Sequence, residues 1–203
     1  MTVASPASNE PLRGAVARLA DALEPGQVYR REELARLSNA VDRHLRELVA
    51  TGTLRKLAQG LYHMPRQSPF GTVPASDDQL VKGFLRDKEF LVFSPSLYNG
   101  LGIGTTQLYN KTLVYNHKRH GQFRLGSRLF DFRVKHRFPK TPSQEFLYVD
   151  LLNNLEELAE DRDAVLLRAK EKVSAFEFVA LQEAVETYGN MATRKRFRQW
   201  VGG

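Results

Sequence analysis

The sequence predicts an α+β chain in three parts: a helical module closed by a two-stranded hairpin, a small mixed α/β domain with antiparallel strands, and a C-terminal helical segment. Three observations lead there. Apolar residues recur at helical spacing before residue 52 and after residue 143, and short β-rich runs lie between them. Prolines interrupt the chain twice, at 65, 69 and 74 and again at 139 and 142, where missing backbone donors favour extended linkers. These breaks divide it into residues 13–65, 66–140 and 141–203.

In the first part, residues 14–23 form a helix with Val16, Leu19, Ala20 and Leu23 on one face, closed by Pro25-Gly26. Val28-Tyr29 is a short extended segment. A second helix, 31–37, turns Leu34 and Leu37 inward and places Glu32 and Glu33 against its N-terminal dipole. Ser38-Asn39 makes a tight turn and caps a third helix, 40–51, which Gly52 ends. Residues 53–56 and 61–64 then pair as a hairpin around Leu57-Ala58-Gln59-Gly60. Helix, short strand, helix, turn, helix, two-stranded wing is the order of a winged helix-turn-helix.

The third helix is the natural groove reader. Val41, Leu45 and Leu48 must face the core, so the opposite side carries Asn39, Arg43, Arg46 and Glu47. Arginine can donate two bonds to guanine, and asparagine can bond adenine in both directions. The expected DNA-binding set is therefore Ser38, Asn39, Arg43 and Arg46, with Arg55, Lys56 and Gln59 of the wing near phosphates or a minor groove. The same charges also suit a solvated helix face. Winged helices serve as protein-interaction modules too, so a module that binds and inhibits a partner enzyme directly, without sequence-specific DNA binding, is the alternative.

In the middle part the pattern predicts a helix over 76–87, a buried strand over 90–93 and a short helix over 95–101 stopped at Gly102. Strands over 112–116, 122–125 and 129–135 are read as antiparallel, with Gly121 and Gly126-Ser127 at the turns. Phe130, Phe132 and Val134 alternate with Asp131, Arg133 and Lys135, predicting one core face and one charged face. The last part reads as a helix over 146–158 with Leu147, Leu151, Leu155 and Leu158 as its stripe, then helices over 164–170, 175–188 capped by Ser174, and 194–201 capped by Thr193.

Charge is distributed unevenly. The chain carries +7 overall with a pI of about 9.7, which favours a polyanionic partner. Residues 1–78 have a net charge of +1, residues 79–140 of +9, and residues 141–203 of −3. Lys118, Arg119, Arg124, Arg128, Arg133, Lys135 and Arg137 thus form a second basic constellation, interleaved with Tyr109, Tyr115 and Phe123. It is read either as a further contact surface or as the solvated side of the strands. Arg194-Lys195-Arg196 with Arg198 either clamps phosphates or balances the acidic helices beside it.

Several classes are set aside. With no cysteine, disulfides and thiolate metal sites are excluded. No signal peptide and no run of eighteen apolar residues is visible, so a cytoplasmic protein with no membrane partner is expected. The glycine-rich stretch 100–106 lacks the Gly-Lys-Ser/Thr ending of a phosphate loop and reads as a structural turn. His117 and His120 flank Lys118 and Arg119, whose charge would oppose a metal. No triad, carboxylate pair or cofactor motif points to catalysis, so the expectation is a regulator with no cofactor and not an enzyme.

The stretches LRELVATGTLRKLAQGLY at 45–62, FGTVP at 70–74 and FSPSLYNGLGIGTTQ at 93–107 resemble AbiEi-type antitoxins. In that family a helix runs into a glycine, a basic strand and a Gly-hydrophobic-Tyr close, and basic strands follow a Pro-Ser and Gly-Leu segment. The resemblance covers roughly residues 13–140. One departure is Arg30, which stands where a capping threonine is common. The resemblance implies an antitoxin of a bacterial type IV toxin–antitoxin pair, a transcriptional autorepressor that binds operator DNA through the winged helix. It further implies that a nucleotidyltransferase-type toxin is countered, generally without a stable complex, and that the basic constellation meets DNA, RNA or the toxin.

Overall fold

The computed structural model describes residues 12–106, 108–158 and 160–202. It is a mixed α+β structure whose described residues fall into two units, 12–88 with 123–129, and 89–122 with 130–202. The sequence predicts three parts with boundaries near 65 and 140, whereas the described residues group into these two.

The first unit begins with α1 (Gly14–Asp21), β1 (Val28–Arg30), α2 (Arg31–Leu34) and α3 (Val41–Ala50). It continues through β2 (Arg55–Ala58), β3 (Leu61–His63), β4 (Arg66–Ser68), β5 (Gly71–Val73) and α4 (Asp77–Leu85). Strands β1, β3 and β2 form an antiparallel sheet in that spatial order. Its core gathers Val16, Leu19, Leu23, Leu34, Val41, Leu45, Leu48 and Leu54, the apolar faces that spacing predicts for the helices. Leu37 departs from expectation: α2 stops at Leu34, and Leu37 is 55% exposed, turned off the apolar face.

The 64–74 segment is not an open linker. β4 and β5 pair antiparallel, and Ser68 Oγ donates to Gly71 O at 2.8 Å across the turn. Its prolines sit before, between and after the strands, where no ladder donor is lost. Helix α4 starts at a capping box, Gln79 N donating to Ser76 Oγ and Ser76 N to Gln79 Oε1. It belongs to the first unit for a steric and a polar reason. A Cβ on Gly83 would lie 2.9 Å from Val28 Cγ1, so only glycine lets α4 approach β1 this closely. Arg30 Nε donates to Gly83 O at 2.6 Å and Arg30 Nη2 to Phe84 O, satisfying carbonyls at the helix end. Arg30 thus ties the end of α4 to the start of α2, a reach that needs its long side chain.

The second unit contains β6 (Phe90–Phe93), a 3-10 helix (Pro95–Leu101), β7 (Thr112–Asn116) and the outer parts, 121–122 and 130–134, of the hairpin β8 (Gly121–Leu125) and β9 (Arg128–Val134), whose residues 123–129 belong to the first unit. Helices α5 (Gln144–Asn153), α6 (Arg162–Lys172), α7 (Phe178–Tyr188) and α8 (Met191–Val201) follow. The strand order is β6-β7-β9-β8. β6 pairs antiparallel with β7, but β7 and β9 are parallel, Thr112 opposite Phe130 and Asn116 opposite Val134, which corrects the all-antiparallel expectation. The reason lies in β9 itself. Phe130 and Phe132 are fully buried, and the Asp131 and Arg133 side chains are each only 13% exposed. A strand covered on both faces belongs inside a sheet, not at its edge.

The helices share one core with this sheet, across the boundary expected at 140. Helix α5 lies at its centre: every residue from Phe146 to Leu152 is buried, so it is enclosed on all sides instead of presenting one leucine stripe. Ser143 caps it, and Leu155 falls in a separate 3-10 turn. Two expected caps are also corrected. Glu177, not Ser174, receives the first amides of α7, and Asn190 caps α8 by accepting from Thr193 N at 2.8 Å. Thr193 itself is fully buried. The 100–106 stretch is a structural turn: Ile103 is buried, and Gly104 has φ 79° with Arg168 Nη1 only 1.8 Å from where its Cβ would stand.

Buried within this core, Asp150 accepts from Tyr98 OH at 2.7 Å and from Tyr115 OH at 2.8 Å. Burial raises its pKa above the ordinary carboxyl value, against the pull of the two tyrosine hydrogen bonds. Asp150→Ala leaves two buried hydroxyls without an acceptor and is expected to destabilise the second unit by about 2–5 kcal/mol, against about 1 kcal/mol for Tyr98→Phe. The single tryptophan, Trp200, packs on this core, so its fluorescence during urea denaturation of the full chain measures the effect.

Candidate nucleic-acid interface

Helix α3 divides cleanly into two faces. Val41, His44, Leu45 and Leu48 are buried, while Asp42, Arg43, Arg46 and Glu47 are exposed. Its entry is set by Ser38, whose Oγ accepts from Ala40 N at 3.3 Å and lies 2.7 Å from His44 Nδ1. Ser38 is therefore half-buried and engaged in shaping the turn, and the N-cap position falls to Ala40, without a side-chain cap. Asn39 is exposed beside it. Arg46 Nε donates to Asp42 O at 3.2 Å, and Arg43 Nη2 lies 3.5 Å from His44 Nε2, but neither arginine forms an ion pair among the described residues. Arg31 instead takes the Asp42 carboxylate with two bonds, at 2.7 and 2.5 Å. The one acid in the first turn of α3 is thus engaged elsewhere, and Arg43 and Arg46 keep their charge toward solvent.

The hairpin separates the wing residues that sequence places together. Arg55 lies opposite His63 and Lys56 opposite Tyr62, so the two basic side chains leave on opposite faces of the sheet. A bulge between Lys56 and Ala58 shifts the register before the turn, where Gln59 is exposed. Lys56 shares its face with Tyr62 and Tyr29, while Arg55 shares its face with buried His63.

The residues of the second basic constellation are divided between the two units. Arg124 and Arg128 belong to the first unit, and Lys118, Arg119, Arg133, Lys135 and Arg137 to the second. Arg128 pairs with Asp77 at 2.5 Å. Arg133 is withdrawn from solvent: it binds Asp131 at 2.9 Å, Glu157, and Asn154 Oδ1 at 3.0 Å, while Lys111 also holds Asp131 at 2.9 Å. Partial burial alone would raise the Asp131 carboxyl, but hydrogen bonds from Lys111 and Arg133 outweigh it and hold its pKa below the ordinary value. Lys135 lies with Nζ 5.1 Å from the Tyr115 ring centre. Lys118, Arg119 and Arg137 are exposed, as is Arg124, whose Nη1 donates to Ser127 O at 3.3 Å.

Sequence reading missed the residue that shapes the 117–120 turn. Asn116, buried, accepts from Lys118 N at 2.8 Å and Arg119 N at 2.6 Å, and its Nδ2 donates to Arg119 O at 3.0 Å. The only signal was an asparagine closing a strand before a basic run, a common turn-former. His117 stacks on Phe138 with centroids 4.8 Å apart. In the terminal helix Arg194 donates to Glu186 O at 2.7 Å, binding the end of α7, and Arg198 lies 3.5 Å from Glu186. Among the described residues no group of three or more His, Asp or Glu side chains is placed to hold a metal ion, and no helix is long and apolar enough to cross a membrane.

No protein family, no characterised protein and no solved structure matches this chain.

His63 provides a test of the hairpin's packing. Burial, then the neighbouring Arg55 charge, lowers its pKa below the ordinary 6.5. The unfolded chain therefore takes up the proton more readily than the folded one. The stability that His63 contributes is complete above pH 6.5 and is lost as the pH falls through the lowered folded value. Urea denaturation of the full chain across this range should show a shallower acid decline in His63→Gln than in the parent.

Proposed function

We propose that the chain is a DNA-binding transcriptional regulator whose first unit is a winged helix. Its order of α1, β1, α2, α3, β2 and β3 supports the reading, with α2 and α3 as the helix-turn-helix and β2–β3 as the wing. The observation that carries it is the outer face of α3. Asn39, Arg43 and Arg46 stand exposed opposite an inner face of Val41, His44, Leu45 and Leu48, and among the described residues neither arginine forms an ion pair with a carboxylate. Inserted into a major groove, such a helix offers bidentate partners for guanine and adenine. Lys56 then tracks a phosphate from the wing, while Arg55, on the other face, takes a lesser part.

The resemblance to AbiEi-type antitoxins extends this to an autorepressor of a type IV toxin–antitoxin pair, with operator DNA and a nucleotidyltransferase-type toxin as functional partners. In that reading the exposed Lys118, Arg119 and Arg137 of the second unit supply bulk attraction to nucleic acid or serve the antitoxin task.

Arg43→Ala and Arg46→Ala are each expected to weaken binding to DNA from the chain's own promoter region by about 1–3 kcal/mol, measured by fluorescence anisotropy at fixed salt. Unchanged affinity in both moves recognition off α3. Lys56→Ala should weaken all sequences alike and reduce the salt slope by about one, with Arg55→Ala changing it less. Absence of salt-dependent DNA binding, together with stable capture of a partner enzyme, would favour a protein-interaction module instead.

A further inference from the structure

We propose that the first unit holds a separate site for a small organic anion with a compact apolar body, in the cleft where β2–β3, the start of α4 and the 125–128 turn meet. The cleft encloses about 200 Å³. Its polar heart is a cross-strand pair: Arg55 and His63 lie directly opposite on β2 and β3, so both side chains leave on the same face, and both line the cleft. Ala75, Leu80 and Leu125 form its apolar wall, and all three are buried. Arg128 stands at the rim in its pair with Asp77.

Two independent features point to a ligand. His63 is only 3% exposed, yet its Nε2 has no hydrogen-bond partner among the described residues. A buried ring nitrogen left in that state is costly, and such orphans concentrate where a ligand supplies the missing partner. Arg55 meanwhile forms no ion pair among the described residues, so its guanidinium can take a carboxylate or phosphate with two parallel bonds. The charge balance around the imidazole fixes the sign of the ligand. Arg55 and Arg128 contribute two positive charges against the single carboxylate of Asp77, which Arg128 already engages. The apolar wall selects an anion carrying a small hydrophobic group over a bare ion, which would lose water there without recompense. An anion placed against Nε2 also stabilises the imidazolium, reversing the depression that burial and Arg55 impose on His63.

This site goes beyond the DNA-binding reading, and its test uses no DNA, so the two can fail separately. The full chain is titrated with benzoate while the His63 ring resonances are followed by NMR, with benzamide as the neutral isostere and inorganic phosphate as the bare anion. Expected are a saturable shift with benzoate, a rise in the His63 pKa on saturation, and binding about tenfold weaker in Arg55→Gln, whose exposed position leaves folding intact. Absence of a saturable shift with benzoate, or an equal response to benzamide, overturns the site. Phosphate binding as tight as benzoate overturns the requirement for an apolar body.

Discussion

A carboxylate buried among apolar side chains costs several kcal/mol unless its oxygens are met. Asp150 is placed in that position by α5, the helix enclosed on every side, and Tyr98 and Tyr115 meet it from the 3-10 helix after β6 and from the middle of β7. Asn154, one turn along the helix, adds a donor to Tyr115 OH at 3.3 Å. The two tyrosines come from elements far apart in sequence, so this one acid fixes the rotation of α5 against the sheet. The aromatic packing of Phe93, Tyr115 and Phe146 then closes around it with edge-on contacts. The helices after residue 143 gather around that placement, α7 and α8 packing on α5 and on each other.

The first unit rests on a different constraint, the absence of a side chain at Gly83. Close approach of α4 to β1 brings its last carbonyls within reach of Arg30, and Arg30 in turn begins α2. The helix pair that presents the outer face of α3 is thereby braced from behind. The proposed DNA contact and the packing fall on the two sides of α3, since the inner side is taken by packing and, among the described residues, the outer side carries no ion pair beyond that of Asp42.

Net charge is a poor guide to where nucleic acid would be met. The most basic third of the sequence spends part of its charge internally: Arg133 and Lys111 neutralise Asp131 and Glu157, and Arg128 neutralises Asp77. Lys118 and Arg119 stay exposed there on a short turn shaped by Asn116. The nearly neutral N-terminal module, by contrast, keeps Arg43 and Arg46 outside any ion pair among the described residues. Specific reading and bulk attraction are therefore assigned to different units in the proposed mechanism.

By itself the sequence determined the local elements and their faces. The 3.6-residue spacing of Val41, Leu45 and Leu48, the helix that starts at Ser76 and the Ser-Pro start of the 95–101 turn depend only on neighbours along the chain, and each is found where the pattern puts it. Tertiary structure decided what depends on partners distant in sequence. The placement of β9 beside β7 and the withdrawal of Arg133 from solvent go with burial of β9 on both faces, which periodicity cannot report, and the proline-rich segment closes as a hairpin through strand pairing. The same holds for the split of Arg55 from Lys56: one residue of register sends adjacent side chains to opposite faces, so only the paired strands show which of the two looks toward His63.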